Sequence, residues 1–431
     1  MEWIAIGIFC AALLLCIIFD FSILYALVFG LLVFLLYGRK KGFSWRALSA
    51  MSLEGIKTVR NILITFVLIG IMTAFWRTAG TIPVIVCYAS GLIRPSVFLL
   101  MTFLLNSMIS VLTGTCFGTA ATMGVICAAI GTAMGVNPVL TGGAVLSGAI
   151  FGDRCSPVST SALLIAAVTK TDIYDNIRRM VRTAFVPFLL TCAAYAGIGP
   201  MLPKDGAVMD LEAIFSRSFR LHWTALIPAI AILLLAALRV NVKLAMSFSI
   251  LTPIPLSLQL QGVALPELLR AAAVGFAPED AEVARLISGG GIVSMLRVTC
   301  IVCLSSAYSG IFRKTGMLDK IKQLVARLAA RTNAYAASLV TSILTCLVAC
   351  NQTLTILLTE QLCRDEYTAK EDLAIDLEDS AIVVAPLIPW SIAGAVPLAS
   401  AAAPTAALLT AFYLILLPLW RLLRRARIQR K

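Results

Sequence analysis

Long apolar blocks constrain this chain more than any single motif does. WIAIGIFCAALLLCIIF (3–19) and FSILYALVFGLLVFLLY (21–37) stand almost end to end at the start. A helix needs about 20 apolar residues to cross the hydrocarbon core of a bilayer, with a lower limit of roughly 17. Both blocks meet that limit. Comparable blocks recur near 61–76, 96–112, 119–134, 183–199, 223–238, 244–260, 290–312, 334–358, 373–388 and 404–420. The chain is 60% hydrophobic and only 13% charged, too little charge to cover a soluble domain of 431 residues. The fold class that follows is an all-α polytopic membrane protein with about ten to twelve transmembrane helices. The Met-Glu-Trp start has no basic segment and a second apolar block follows at once, so it reads as a first spanning helix, not a cleaved signal.

Three blocks, 81–93, 139–151 and 161–169, are too short to span and are flanked by Gly, Pro and polar residues. Such pieces predict re-entrant hairpins or broken helices. The net charge of +13 comes from basic runs between apolar blocks: GRKKGFSWR (38–46), NIRRMVR (176–182), FRKTGMLDKIKQLVARLAAR (312–331) and RLLRRARIQRK (421–431). By the positive-inside rule these runs and both termini lie in the cytoplasm, with 201–221 and the acidic 263–287 outside. No nucleic-acid-binding module is visible, so the basic balance does not imply nucleic acid. The 12 Cys fall mostly within apolar blocks, and the close pair Cys300 and Cys303 reads as small buried thiols, not a metal or redox site. The single histidine, His222, stands beside Trp223 and reads as interfacial.

A weak repeat crosses the chain. AFWRTAGTIP (74–83) precedes FLLNSMISVLTGT (103–115), and GIFRKTGMLD (310–319) precedes SLVTSILTCLVAC (338–350). Arg77 then matches Arg313 and Gly80 matches Gly316, while Ser107 matches Ser342 and Leu112 matches Leu347 at an offset one residue shorter. With the loop charges, helix 61–76 starts from the cytoplasm and helix 290–312 from outside, so the halves are inverted. The expected division is 1–60 (N-terminal helices and a cytoplasmic loop), 61–200 (a first repeat with hairpin and broken helix), 201–289 (connecting helices and loops) and 290–431 (a second repeat with a basic cytoplasmic tail).

Polar groups that the membrane makes costly mark candidate chemistry; an Asp or Lys at a helix centre costs about 2.5–3.5 kcal/mol on insertion scales. Asp153 lies in SGAIFGDRCSPVSTSALLIAAV between two short apolar arms, with Gly152 and Pro157 flanking an expected helix break. Ser156, Ser159 and Thr160 add hydroxyls. A carboxylate with carbonyl and hydroxyl oxygens is a donor set for a small hard cation such as sodium. The structural alternative is an Asp153–Arg154 pair at a hairpin tip. LEDSAIVVAPLIPWSIAGAVP (377–397) has the same plan, with Glu378 and Asp379 before Pro386 and Pro389; its alternative is a solvated acidic loop over 366–380. Two polar stretches, 106–124 and 348–358, add Thr113, Thr115, Asn351 and Thr353 as pathway residues, with Gly114 and Gly118 equally readable as helix packing. Asn106 and Arg297 lie within apolar blocks as interhelical hydrogen-bonding residues.

These stretches resemble the NhaC-type sodium/proton antiporter family of the ion-transporter superfamily. GDRCSPVS (152–159) is similar to its first-half Gly-Asp-Lys/Arg-x-Ser-Pro-x-Ser motif, and LEDSAIVVAPLIPW (377–390) to its second-half motif. The motifs cover a small part of the chain; the order of blocks and the repeat extend the likeness over most of it. The resemblance implies inverted repeats, each with a re-entrant hairpin and a broken helix, and exchange of sodium or lithium for protons, or a related organic-anion exchange. It carries over Asp153, Ser156, Glu378, Asp379 and Ser380 as ion-site residues. Two departures bear on stoichiometry and substrate: the family often continues its first motif with Asp-Thr-Thr where this chain has Thr160-Ser161-Ala162, and often has Asn where Ser391 stands.

The mechanism expected is competition at a buried carboxylate. Removal from water disfavours a bare anion, so the group takes either a proton or a cation, and two repeats expose it alternately to each side. Asp153 is the expected carboxylate, Asp379 or Glu378 its counterpart, and sodium the metal ion that Asp153 and Asp379 would hold as cargo; no resident cofactor is expected. Expected partners are the lipid bilayer, a small cation or organic solute, and a second copy of the chain as a homodimer. The nearest rival is an organic-acid or amino-acid exchanger on the same scaffold, with half-helix N-termini binding a carboxylate; the missing Asp at 160 favours it slightly. A metalloprotease would need His-Glu-x-x-His, and an ATP-driven pump a phosphate loop; neither sequence is present. No potassium-type filter sequence is present either.

Overall fold

The computed structural model describes residues 2–18, 21–92, 94–157, 159–202, 211–238, 240–315 and 332–429. Among these there is no strand, only one isolated bridge between Phe276 and Gly289. The helices used below are α1 (Glu2–Ile18), α2 (Ile23–Lys40), α3 (Trp45–Thr58), α4 (Arg60–Thr78), α5 (Thr81–Leu92), α6 (Pro95–Thr113), α7 (Cys116–Ala133), α8 (Pro138–Cys155), α9 (Thr160–Thr169), α10 (Ile173–Ile198), α11 (Val242–Leu251), α12 (Leu296–Thr315), α13 (Ala334–Ala349), α14 (Gln352–Cys363), α15 (Lys370–Asp379), α16 (Ala381–Val384), α17 (Ile392–Ser400) and α18 (Phe412–Gln429). Three of them, α6, α7 and the run Ile173–Met201, are long and apolar enough to cross a bilayer. Two bent pairs, Trp45–Lys57 with Ile62–Thr78 and Lys370–Leu387 with Ile392–Ser400, raise the number to five among the described residues.

The outer faces show why a bilayer is needed. On α6, Val97, Met101, Leu104, Met108 and Leu112 are exposed at helical spacing, and Tyr25, Val28, Phe29, Leu32 and Leu36 do the same on α2. Continuous apolar stripes of this kind would be untenable in water and suit lipid. The inner faces are built from small residues. Gly148 on α8 meets α6 so closely that a Cβ would lie 2.5 Å from the Phe103 carbonyl oxygen, and one on Gly152 would run into Ser110 and Val111. Ser156 Oγ donates to the Val111 carbonyl at 2.7 Å, fixing the end of α8 on the end of α6.

The helix breaks differ in detail from expectation. Gly152 does not break its helix; α8 runs on to Cys155, and the break covers 156–159 before α9 begins. The 366–380 segment is not a solvated loop: α15 forms over Lys370–Asp379, with Leu373–Asp379 all buried. Its break comes at Ile388–Ser391, beside the two prolines, before α17. The Cys300–Cys303 pair is not buried in protein. Cys300 is exposed and Cys303 half-buried on α12.

One backbone device appears twice. Helix α6 ends on Gly114 in the left-handed region (φ 65°), Thr115 is extended (φ −152°, ψ 127°), and α7 begins. Helix α13 ends on Cys350, also left-handed (φ 56°), Asn351 is extended (φ −145°, ψ 128°), and α14 begins. The two devices stand 236 positions apart, the offset of the Arg77–Arg313 match. Of that match, Gly316 and the Arg313 side chain lie outside the described residues, as does most of 312–331. Ser107 and Ser342 are both buried and each donates to the carbonyl four residues earlier.

Candidate functional site

Four helices begin around one cavity of about 90 Å³. Thr115, Cys116 and Phe117 contribute the start of α7, and Thr160 and Ser161 the start of α9. Asn351, Gln352 and Thr353 contribute the start of α14, and Ile392 and Ala393 the start of α17. Local sequence explains three of the starts: Thr115, Ser159 and Asn351 are N-caps whose side chains accept backbone amides of the first turn, whereas Ser391 before α17 makes no such bond. A cavity of this size holds several waters or a partly hydrated cation. Thr160 and Thr353 are exposed at its mouth.

Asp153, 3% exposed at the end of α8, presents its carboxylate to this cavity. Ser159 Oγ donates to Oδ1 at 3.2 Å, Ser161 Oγ to Oδ2 at 3.1 Å, and Gln352 Nε2 to Oδ2 at 3.5 Å. Each helix N-terminus carries roughly half a positive charge, so four of them surround a single carboxylate. Among the described residues no group of three His, Cys, Asp or Glu side chains could hold a metal ion. The donor set here is one carboxylate with hydroxyl and amide oxygens, which suits a hard monovalent cation in transit more than a resident transition metal.

Arg154 does not pair with its neighbour Asp153. It turns the other way, fully buried, and forms an ion pair with Asp379. Its guanidinium also donates to Thr183 Oγ1 at 2.7 Å, Tyr413 Oη at 3.2 Å, and the carbonyls of Glu378 (3.2 Å) and Met180 (3.3 Å). Asp379 is approached from its other side by Arg421 Nε at 3.3 Å. Arg421 and Arg425 bind Asp376 at 2.6 and 3.2 Å, and Arg425 reaches Asp372 at 3.6 Å. Three arginines therefore face three aspartates, with the more exposed Arg179 also 3.9 Å from Asp372. Glu378, 0% exposed, is left over: neither carboxylate oxygen has a hydrogen-bond partner. An unpartnered carboxylate out of water is stable only with a proton or a cation on it.

Of the residues read from sequence, Asp153, Thr115, Asn351 and Thr353 come together on the cavity wall, and Ser159 joins them through its bond to Asp153. Thr113 bonds Thr119 at 3.2 Å away from the wall, Ser156 holds the α6–α8 junction, and Ser380 Oγ donates to the Asp376 carbonyl at 2.6 Å. Glu378 and Asp379 are not on the cavity wall. Sequence reasoning gave no role to Ser161, Gln352, Thr183, Tyr413 or Arg421. Only Gln352 carried a signal, as the polar neighbour of Asn351. Asn106 donates to the Thr102 carbonyl at 2.8 Å and to Cys127 Sγ at 3.5 Å, whereas Arg297 is exposed. His222 caps a short turn through Thr224, with Trp223 exposed beside it.

Comparison with known proteins agrees over nearly the whole chain. The profile of the Na+/H+ antiporter family matches residues 2–170 and 148–420. The Na(+)/H(+) antiporter NhaC of Alkalihalophilus pseudofirmus is 30% identical over 380 residues, covering 86% of this chain and 82% of that one. The malate-2H(+)/Na(+)-lactate antiporter of Bacillus subtilis is 27% identical over 400 residues, with 90% and 86% covered. The arginine/ornithine antiporter ArcD of Halobacterium salinarum is 27% identical over 374 residues, with 84% and 77% covered.

Proposed function

The chain belongs to the Na+/H+ antiporter family, and from that premise we propose that it exchanges sodium or lithium for protons across the cytoplasmic membrane. The observation that carries the reading is the buried Asp153 carboxylate, open to a cavity on which four helices begin. Sodium would take Asp153 and the nearby oxygens of Ser159, Ser161, Thr115, Asn351 and Gln352, and a proton would take its place when the site turns to the other side. The twice-used break at Gly114–Thr115 and Cys350–Asn351 supports two inverted repeats that rock about this point, within about ten to twelve spans. Both termini face the cytoplasm in this reading, and the protein works alone or as a homodimer.

The charge balance divides the second-half acids. Asp379 is matched by arginines, so it positions Arg154, while Glu378 carries a transported proton. Glu378→Gln removes the titrating group without orphaning a partner, because the carboxylate has none. The variant is expected to fold with unchanged thermal stability and to lose proton movement coupled to sodium, read with a pH dye in vesicles. Wild-type coupling in Glu378→Gln would remove Glu378 from the proton path.

A second reading is exchange of a small organic acid or amino acid. It is favoured by the excess of helix N-termini over carboxylates at the cavity, and by Thr160, which stands on the cavity wall where the family often has Asp. Proteoliposomes with an internal pH dye, challenged in turn with sodium, lithium, potassium, L-malate, L-lactate and L-arginine, separate the two. Alkalinisation or acidification driven by sodium or lithium alone is expected. A response that requires an organic solute replaces the first reading with the second.

A further inference from the structure

A second, larger cavity of about 310 Å³ lies at the far ends of the helices that frame the first. Helix α17 meets the Asp153 cavity at Ile392 and Ala393 and this one at Ala399 and Ser400, about 12 Å further along its axis. Helix α7 likewise begins at the first and brings Val125, Ala128, Ala129 and Thr132 to the second. Between them Ala121, Ile392 and Val396 pack in one apolar cluster.

Arg77, on the last turn of α4, is the one charged residue on this wall. Its Nη1 donates to the Thr73 carbonyl at 2.9 Å. Its Nε is buried without a partner, and no ion pair reaches the guanidinium among the described residues. Two features hold the arginine there. Trp76, its neighbour, is anchored on α11 by Nε1 donating to Ser249 Oγ at 3.0 Å. Opposite, Gly289, Gly290 and Gly291 all have positive φ (112°, 77° and 78°) and lay their loop directly on α4; a Cβ on Gly290 would lie 2.7 Å from the Ala74 nitrogen. The loop and α4 thus form a fixed wall. The remaining lining is uncharged: apolar side chains such as Ile82, Val125, Ile287 and Met295, and five hydroxyls (Thr73, Thr132, Ser288, Ser294, Ser400) that each donate to a backbone carbonyl.

We propose that this cavity binds a small monocarboxylate, with the carboxylate on the Arg77 guanidinium and the hydrocarbon part on the apolar side chains of the wall. A half-buried guanidinium with no acid beside it among the described residues favours an anion, and charge-assisted hydrogen bonds from it suit a carboxylate. One cation, apolar side chains and hydroxyls already bonded to backbone suit a single carboxylate on a short chain better than a dicarboxylate, a halide or a strongly hydrated phosphate. The site is separate from Asp153, so its failure leaves the sodium/proton reading standing.

The test is equilibrium binding to the purified full chain in detergent, by thermophoresis, with butyrate, L-malate, chloride and inorganic phosphate as probes. Butyrate is expected to bind most tightly, and Arg77→Gln to weaken it by about tenfold or more, the loss of a charge-assisted pair. Arg77→Lys, which keeps the charge but not the guanidinium, should fall between. Ala129→Leu narrows the cavity from the facing helix and serves where an arginine variant aggregates; it should weaken butyrate and not disturb folding. No butyrate binding by the wild type, equal binding in all variants, or chloride, phosphate or L-malate binding as tightly as butyrate would each overturn the proposal.

Discussion

Asp153→Asn is expected to reduce sodium-dependent proton movement in everted membrane vesicles to the background of vesicles without the protein, while leaving a folded, solubilisable chain. The argument for folding is geometric. Asn keeps the size of Asp, its Oδ1 still accepts from Ser159, and its new amide meets groups that can adapt. The Ser161 hydroxyl can rotate to accept, and the Gln352 amide can flip. Replacing a charged acceptor by a neutral one among three donors should cost about 1–3 kcal/mol. The argument for lost exchange is chemical. The amide neither titrates nor supplies a negative charge to a cation, and no second carboxylate stands on the cavity wall to replace it. Because Thr160 lies on that wall, restoring an acid nearby offers a matched gain: the double variant Asp153→Asn with Thr160→Asp should recover some cation-dependent signal. Full exchange by Asp153→Asn alone would place the carrier elsewhere.

Much of this site could be read before its geometry was known, and the limits have physical causes. Asp153 was legible because a carboxylate between two apolar arms is costly and therefore purposeful. Thr115 and Asn351 were legible as polar residues in apolar runs, and the structure shows why they are there: each caps a helix that restarts after a break. The first break announces itself through Gly114, since glycine takes the left-handed region freely. Its counterpart is hidden, because Cys350 adopts the same conformation and a non-glycine rarely does. The two breaks therefore stand one residue away from the offset of the Ser107–Ser342 match. The partner of Arg154 could not be read at all. Its adjacent acid, Asp153, was the natural candidate, but neighbours in sequence near a helix end face different ways, and the true partner is 225 positions on. Arg421 was hidden for a different reason. It opens a run of basic residues that looks like a cytoplasmic tail, yet it is only 12% exposed and bound to Asp376. The Arg77 cavity was marked only by a weak match to Arg313, since nothing in a sequence says that an arginine lacks a counterion.

Arg154→Met should destabilise the protein more than any other single change in the core, by about 3–5 kcal/mol. It would be read as a fall in the thermal midpoint of the detergent-solubilised chain and in the fraction that elutes as a single species. Arg154 joins α8 to α10 through the Met180 carbonyl and Thr183, to α15 through Asp379 and the Glu378 carbonyl, and to α18 through Tyr413. Removing it leaves the buried Asp379 carboxylate with only Arg421, at 3.3 Å, and the Thr183 hydroxyl, at 3.1 Å. The pair costs less to delete than to break, because a buried charge without its partner is worse than no charge. Asp379→Asn alone should therefore be milder than Arg154→Met, since the guanidinium keeps two carbonyls and two hydroxyls as acceptors. Adding Asp379→Asn to Arg154→Met should restore more than half of the lost midpoint. Simple additivity of the two losses would mean that no coupled pair exists. A third combination tests the charge assignment itself. If Arg154 serves Asp379, then Glu378→Gln should give Arg154→Met little relief, because Glu378 is already neutral or occupied when the aspartates are matched. Rescue by Glu378→Gln in place of Asp379→Asn would show that the guanidinium balances the glutamate, and would return Asp379 to candidacy as the proton carrier.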